Sequence, residues 1–190
     1  MLGIFLDSET NGLDAQKHRL IEIAFKIINI TDGILIDEYQ SIIFQPKAVW
    51  RKSDPDSLKI NGFTYNDVEK GNTENSVSKK IIECFTSNKI NRDSAVFICQ
   101  NPSFDRIFFY QLISSDIQEN LRLPYHWLDL ASMFWAISIK NKEDPKPWIT
   151  GLSKDQIAKR YKLAPEDKPH KAINGVNHLI DCYKKVVGYD

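Results

Sequence analysis

Apolar and polar positions along the chain divide it into a strand-rich beginning and a helix-rich remainder. The run Leu2-Gly-Ile-Phe-Leu-Asp-Ser-Glu is short, apolar and closed by the turn-like Thr10-Asn11-Gly12, which predicts a buried strand. The β-branched residues between Arg19 and Ile30 predict a second strand, and Thr31-Asp32-Gly33 supplies a hairpin turn into a third over Ile34–Phe44. Lys47–Asn72 is polar and reads as irregular, with an ordered connection around Ser57–Thr64. Val77, Ile81, Ile82 and Phe85 recur at helical spacing within Glu74–Ser87, and Ala95–Cys99 is a short buried strand. Helices are expected over Asp105–Ile113, Asp129–Ile139, Ser153–Tyr161 with Ser153 as N-cap, and Lys171–Val187. Asn141–Thr150 and Pro165–Pro169 break the pattern. Three strands followed by helices alternating with one or two more strands predict an α/β or α+β layered fold with a mixed sheet.

Composition narrows the classes. The 190 residues suit one domain, and 42% hydrophobic with 26% charged residues is an ordinary globular balance. Lys plus Arg and Asp plus Glu both number 25, so no overall basic excess marks a nucleic-acid coat. A locally acidic site is compatible with that zero sum. No apolar run approaches the ~18 residues of a spanning helix, and the N-terminal apolar stretch lacks a preceding basic residue, so neither membrane insertion nor a secretory leader is expected. Cys84, Cys99 and Cys182 form neither a disulfide framework nor a metal knuckle, and reduced thiols in a cytoplasmic protein are expected.

Three segments carry candidate chemistry. In Asp7-Ser-Glu9-Thr-Asn-Gly12, residues two apart on a strand share a face, so two carboxylates converge at the end of a buried strand. Their repulsion calls for a cation, and hard oxygen ligands suit Mg2+ or Mn2+. A strand merely ending in polar residues before a glycine turn gives the same pattern. Asn101-Pro-Ser-Phe-Asp105 follows the Ala95–Cys99 strand, and Asp105 there is either an acidic helix-start residue or a further ligand beside the first pair. His170, in Pro169-His170-Lys-Ala-Ile-Asn-Gly175, is either a structural histidine or a base near neutral pH. The aromatic stretch Tyr125–Trp135 is read as core packing in preference to a docking surface.

Together these segments resemble the DEDDh 3′–5′ exonucleases, the DnaQ-like and RNase T-like group of the RNase H-like superfamily. The D-x-E-T-x-G element is matched at Asp7, Glu9, Thr10 and Gly12 with Leu13 following, the second element at Asn101, Phe104 and Asp105, and the H-x-A start of the third at His170 and Ala172. Leu58–Phe63 is similar to the connection lining the family's substrate groove, and Leu152–Tyr161 to the helix before its histidine. The resemblance spans nearly the whole chain. It implies a single exonuclease domain over residues 1–190 and an α/β, RNase H-like fold: a five-stranded mixed sheet, first three strands antiparallel, flanked by helices. It also implies hydrolysis at the 3′ end of single-stranded DNA or RNA with two Mg2+ or Mn2+ ions, releasing a nucleoside monophosphate. Asp7 would bridge both ions, Glu9 would hold the ion that activates water, Asp105 would support the second, and His170 would take the proton. Leu13, Asn61, Phe63 and Phe104 would contact the terminal nucleotides, with Ser8, Thr10, Asn11, Gly12, Gly62 and Asn101 along the same substrate path. A homodimer is left open.

One departure stands out. The family's third element ends in an acid five residues after its histidine, and Gly175 occupies that place. Asn174 points about 100° away on a helix, and Asp181 lies about 9 Å further along the axis, so neither replaces it. Reduced hydrolysis follows. The alternative is an exonuclease-fold protein that binds nucleic acid or a protein partner without cleavage.

Overall fold

The computed structural model describes residues 1–189. Five strands, β1 (Leu2–Thr10), β2 (Leu20–Asn29), β3 (Leu35–Ile42), β4 (Ala95–Cys99) and β5 (Trp127–Asp129), form one sheet in the order β3-β2-β1-β4-β5. β2 runs antiparallel to both β1 and β3, whereas β4 runs parallel to both β1 and β5. The helices are α1 (Lys47–Trp50), α2 (Pro55–Asn61), α3 (Tyr65–Val68), α4 (Glu74–Ser87), α5 (Pro102–Phe109), α6 (Ser115–Asn120), α7 (Leu130–Lys140), α8 (Pro147–Thr150), α9 (Lys154–Arg160) and α10 (Ala172–Val186). The expected mixed five-stranded, RNase H-like arrangement is therefore present.

Alternation along β1 and β2 feeds two cores. Ile4 and Leu6 of β1, with Ile23, Phe25 and Ile27 of β2, pack against Val77, Ile81 and Phe85 of α4 and Phe108 and Phe109 of α5. Phe5 and Ala24 point the other way, onto Phe134 of α7, Ile157 of α9 and Val176 and Leu179 of α10. Because both faces are covered, these strands are apolar throughout instead of alternating apolar and polar. β3, at the sheet edge, is exposed along much of its length and carries Asp37 and Glu38 there. No helix among the described residues is long and apolar enough to cross a membrane.

Several local expectations are corrected. The stretch 47–72 is not irregular but holds α1, α2 and α3. Asp54 caps α2 through the Asp56 N–H, Pro55 fills its first turn, and Gly62 ends it in the left-handed region at φ 67°. α5 begins at Pro102, three residues before the expected start, because proline is at home in a first turn. α6 and the three-residue β5 lie where no element was expected. The aromatic stretch divides: Trp127 stacks on Phe97 at 4.0 Å and Phe134 is buried, but Tyr125 and Trp135 are 53% and 40% exposed.

Candidate active site

Asp7 and Glu9 share the β1 face that carries Phe5, so they look toward α10. How α10 is held there begins with Glu22, opposite Glu9 on β2. Glu22 is buried, accepts from the Gln40 amide at 2.8 Å, and accepts from the Ala172 N–H at 2.8 Å. A carboxylate on the first N–H of a helix satisfies an unpaired donor and favours the helix dipole. The residues before α10 are pinned to α2: the His170 N–H donates to the Ile60 carbonyl at 3.2 Å, and the Lys171 ammonium donates to the Asn61 carbonyl at 3.0 Å. The Asn61 amide in turn donates to the Thr10 carbonyl at 3.0 Å. The end of β1, the end of α2 and the start of α10 thus form one hydrogen-bonded junction.

Asp105, in the first turn of α5, reaches the same strand end from the opposite face. It is 4% exposed, and its Oδ1 accepts from the Ser8 hydroxyl at 2.6 Å. Burial first, then the charge of Asp7, pushes its carboxyl up to about 8 despite that hydrogen bond. Glu9 is likewise raised to about 8, by burial and then by Asp7, Glu22 and Glu166. Asp7 therefore lies close enough to both Glu9 and Asp105 to oppose their ionisation.

A residue that the motifs do not announce supplies the counter-charge to Asp7. The Lys154 Nζ lies 3.0 Å from Asp7 Oδ1, 3.1 Å from Glu166 Oε2 and 3.4 Å from the Gly175 carbonyl oxygen. Burial favours loss of its proton, but Asp7 and Glu166 outweigh burial and hold Lys154 firmly protonated. Glu166 joins Lys154 to two histidines, with His170 Nδ1 at 3.3 Å from Oε1 and His178 Nδ1 at 3.6 Å from Oε2. Burial would raise the Glu166 carboxyl, but His178, Lys154 and His170 bring it down to about 2.

Gly175 faces this cluster from α10. A Cβ there would sit 2.0 Å from Asp7 Oδ2 and 3.0 Å from Lys154 Nζ. The glycine is thus the space in which the Asp7 carboxylate lies. Asn174 and Asp181 line a separate cleft of about 200 Å3 whose lining does not include Asp7, so neither supplies the missing acid.

The candidate substrate residues separate by burial. Asn11 is fully buried, donating to Ser53 Oγ and accepting from the Arg19 N–H, and Asn61 is buried between Thr10 and Phe63. Phe63 packs with Ile21 and Val68 while the Lys171 ammonium lies 3.3 Å from its ring centre. Thr10 is 4% exposed and donates to the Gly12 carbonyl, and Ser8 is engaged by Asp105. These side chains shape the junction from inside. Leu13 is 72% exposed, Gly62 and Asn101 are also exposed, and Phe104 is half-buried beside Phe108. Asn101 takes the left-handed region at φ 55° to turn β4 into α5. Beside His170, a cavity of about 640 Å3 is lined by Asp56, Lys59, Ile60, Lys168 and Pro169.

The donors fall short of the two-ion set that the resemblance implies. Asp7, the expected bridging ligand, already holds an ammonium, position 175 offers no side chain, and among the described residues no three His, Cys, Asp or Glu side chains are grouped to hold a metal ion. Lys154, Glu166, Glu22 and His178 were not singled out by sequence. The one available signal was Lys154 itself: a cation in the first turn of a helix opposes the dipole and calls for a reason.

Comparison with known proteins agrees with this fold. Residues 4–181 match the family described as Exonuclease (RNase_T). DNA polymerase III PolC-type from Thermotoga petrophila is 26% identical over 122 residues, which is 64% of this chain and 8% of the polymerase; the Thermotoga maritima protein matches to the same extent. Exonuclease I of E. coli, solved with a dT13 oligonucleotide, superposes with a TM-score of 0.79 at 18% identity, over 97% of this chain and 40% of that one. Cell-death related nuclease 4 (CRN-4) superposes at 0.74 with 12% identity, over 98% of this chain and 63% of its own. The chain thus spans a small part of the curated relatives and less than half of exonuclease I. With the family match running from β1 into α10, across both carboxylate segments and the histidine, the chain belongs to the Exonuclease family.

Proposed function

We propose that this chain engages the 3′ end of single-stranded DNA or RNA where β1, α5 and the start of α10 meet, and hydrolyses the last phosphodiester slowly, as a 3′–5′ exonuclease. The observation that carries this reading is the convergence of Asp7, Glu9, Asp105 and His170 from three separate segments next to a lysine-lined cavity. Lys59 and Lys168 supply positive charge for strand phosphates. The oligonucleotide-bound exonuclease I neighbour supports a single-stranded substrate. Glu166 sits on the Nδ1 side of His170, which leaves Nε2 to take a proton from water. Water oxygen then bonds to phosphorus, the bond to the neighbouring 3′ oxygen breaks, and a nucleoside monophosphate leaves with the shortened strand ending in a hydroxyl.

The Lys154–Asp7 contact favours a second reading, binding of the strand end without cleavage. End-labelled DNA and RNA single strands, incubated with the protein in Mg2+, Mn2+ or chelator, separate the two. Slow stepwise loss from the 3′ end, lowered about a hundredfold by His170→Ala and abolished by Asp7→Ala, is expected. Retention of intact strands in a 3′-end-dependent complex establishes the second reading. Neither cleavage nor end-dependent binding, or cleavage indifferent to Asp7→Ala, overturns the proposal.

A further inference from the structure

Lys154 is built into its position. Ser153 caps α9 by accepting from the Gln156 N–H, which fixes the first turn, and the Lys154 carbonyl accepts from the Cys182 thiol of α10 at 3.7 Å. From there the side chain runs inward with only 14% exposure, and its three ammonium protons meet three oxygens: Asp7 Oδ1, Glu166 Oε2 and the Gly175 carbonyl. A buried ammonium needs that many acceptors, and buried carboxylates need a counter-charge. Gly175 completes the arrangement, because any side chain at that position would enter the space shared by the Asp7 carboxylate and the ammonium.

We propose that Lys154 is a resident cation: its ammonium does for Asp7 what a divalent ion would otherwise do, Gly175 gives it room, and a divalent ion and the Lys154 ammonium exclude one another at Asp7. An ion bonding Asp7 Oδ1, which already accepts from the ammonium at 3.0 Å, would lie within a few ångströms of a like charge. The absent acid at 175 and the inserted lysine are then two halves of one exchange, in which a ligand leaves and a covalently attached cation arrives. This deepens the reading of the same site, but concerns the protein without nucleic acid, so its failure is separate from a failure to bind or cut strands.

The test is Mn2+ titration of the full chain, followed by calorimetry and by melting temperature. Binding to the native state raises the melting temperature, which gives a readout independent of activity. Wild type is expected to show no saturable Mn2+ binding and no shift at millimolar metal. Lys154→Met is expected to bind Mn2+ saturably, at least about tenfold more tightly than the upper limit that the titration sets for wild type. Because that variant leaves its carboxylates without a counter-charge, the double variant Lys154→Met/Glu166→Gln, which preserves net charge, is measured beside it and is expected to gain the same affinity. A Lys154→Met protein that folds only with Mn2+ also supports the proposal. Saturable Mn2+ binding by wild type that is lost in Asp7→Asn overturns it, as do folded variants that gain no affinity.

Discussion

Lys154→Met is expected to lower stability by about 3–5 kcal/mol, the usual cost of removing one partner from a buried ion pair. The side chains concerned are 14% exposed for Lys154, 15% for Asp7 and 3% for Glu166, so solvent replaces little of the lost attraction. Methionine fills most of the volume of the lysine stem, which leaves charge as the main change. In a chain of this length the melting temperature should fall by about 10 °C or more. Lys159→Met, an exposed lysine on the same helix, is the control and should stay within about 0.5 kcal/mol. Equal melting temperatures for the two variants would mean that the ammonium is not what holds the carboxylates together.

The second large effect is in the pH dependence. Asp105 and Glu9 titrate at about 8 in the fold and near their ordinary values of about 4 when unfolded. Between those limits the folded protein binds more protons than the unfolded chain, so stability falls as pH rises. Their contribution is complete below about pH 4 and is lost progressively toward pH 8. Glu166 works in the opposite sense: held at about 2, it stabilises above its unfolded value and loses that contribution in acid. Maximum stability is therefore expected near pH 4, with a loss of about 2–4 kcal/mol by pH 8 that comes chiefly from the buried Asp105. Thermal melts across this range check it. Asp105→Asn, which keeps an acceptor for the Ser8 hydroxyl, should flatten the descent, whereas a melting temperature that rises from pH 5 to 8 would contradict the account.

Much of the scaffold could be read from the chain because its signals are local. The apolar runs of β1 and β2 and the helical spacing of Val77, Ile81 and Phe85 describe their own elements. So does the family pattern around Asp7, Asp105 and His170. The short α2 was also signalled, by Asp54-Pro55 at one end and Gly62 at the other, yet the polar residues between them masked it. β5 was not legible, since three residues carry no period and Trp127 becomes a strand residue only by stacking on Phe97.

At the site, adjacency in sequence was a poor guide to exposure. Asn11, Asn61 and Phe63 stand inside family motifs, but their side chains hold the junction of β1, α2 and α10 together from within. The cluster of Lys154, Glu166 and Asp7 could not be read locally, because residues more than a hundred positions apart meet only once α9 and α10 have packed on the sheet. Gly175 shows the same limit. By sequence it is a missing ligand and an expensive residue within a helix. In the fold it is the one residue without a side chain to displace the Asp7 carboxylate.

The central claim, that an ammonium occupies the cationic place beside Asp7, is tested most directly by anomalous diffraction from wild-type crystals soaked in Mn2+. The account predicts Lys154 Nζ density between the carboxylates of Asp7 and Glu166 and no manganese peak next to them. A manganese peak bonded to Asp7, with the lysine side chain turned away, would contradict it.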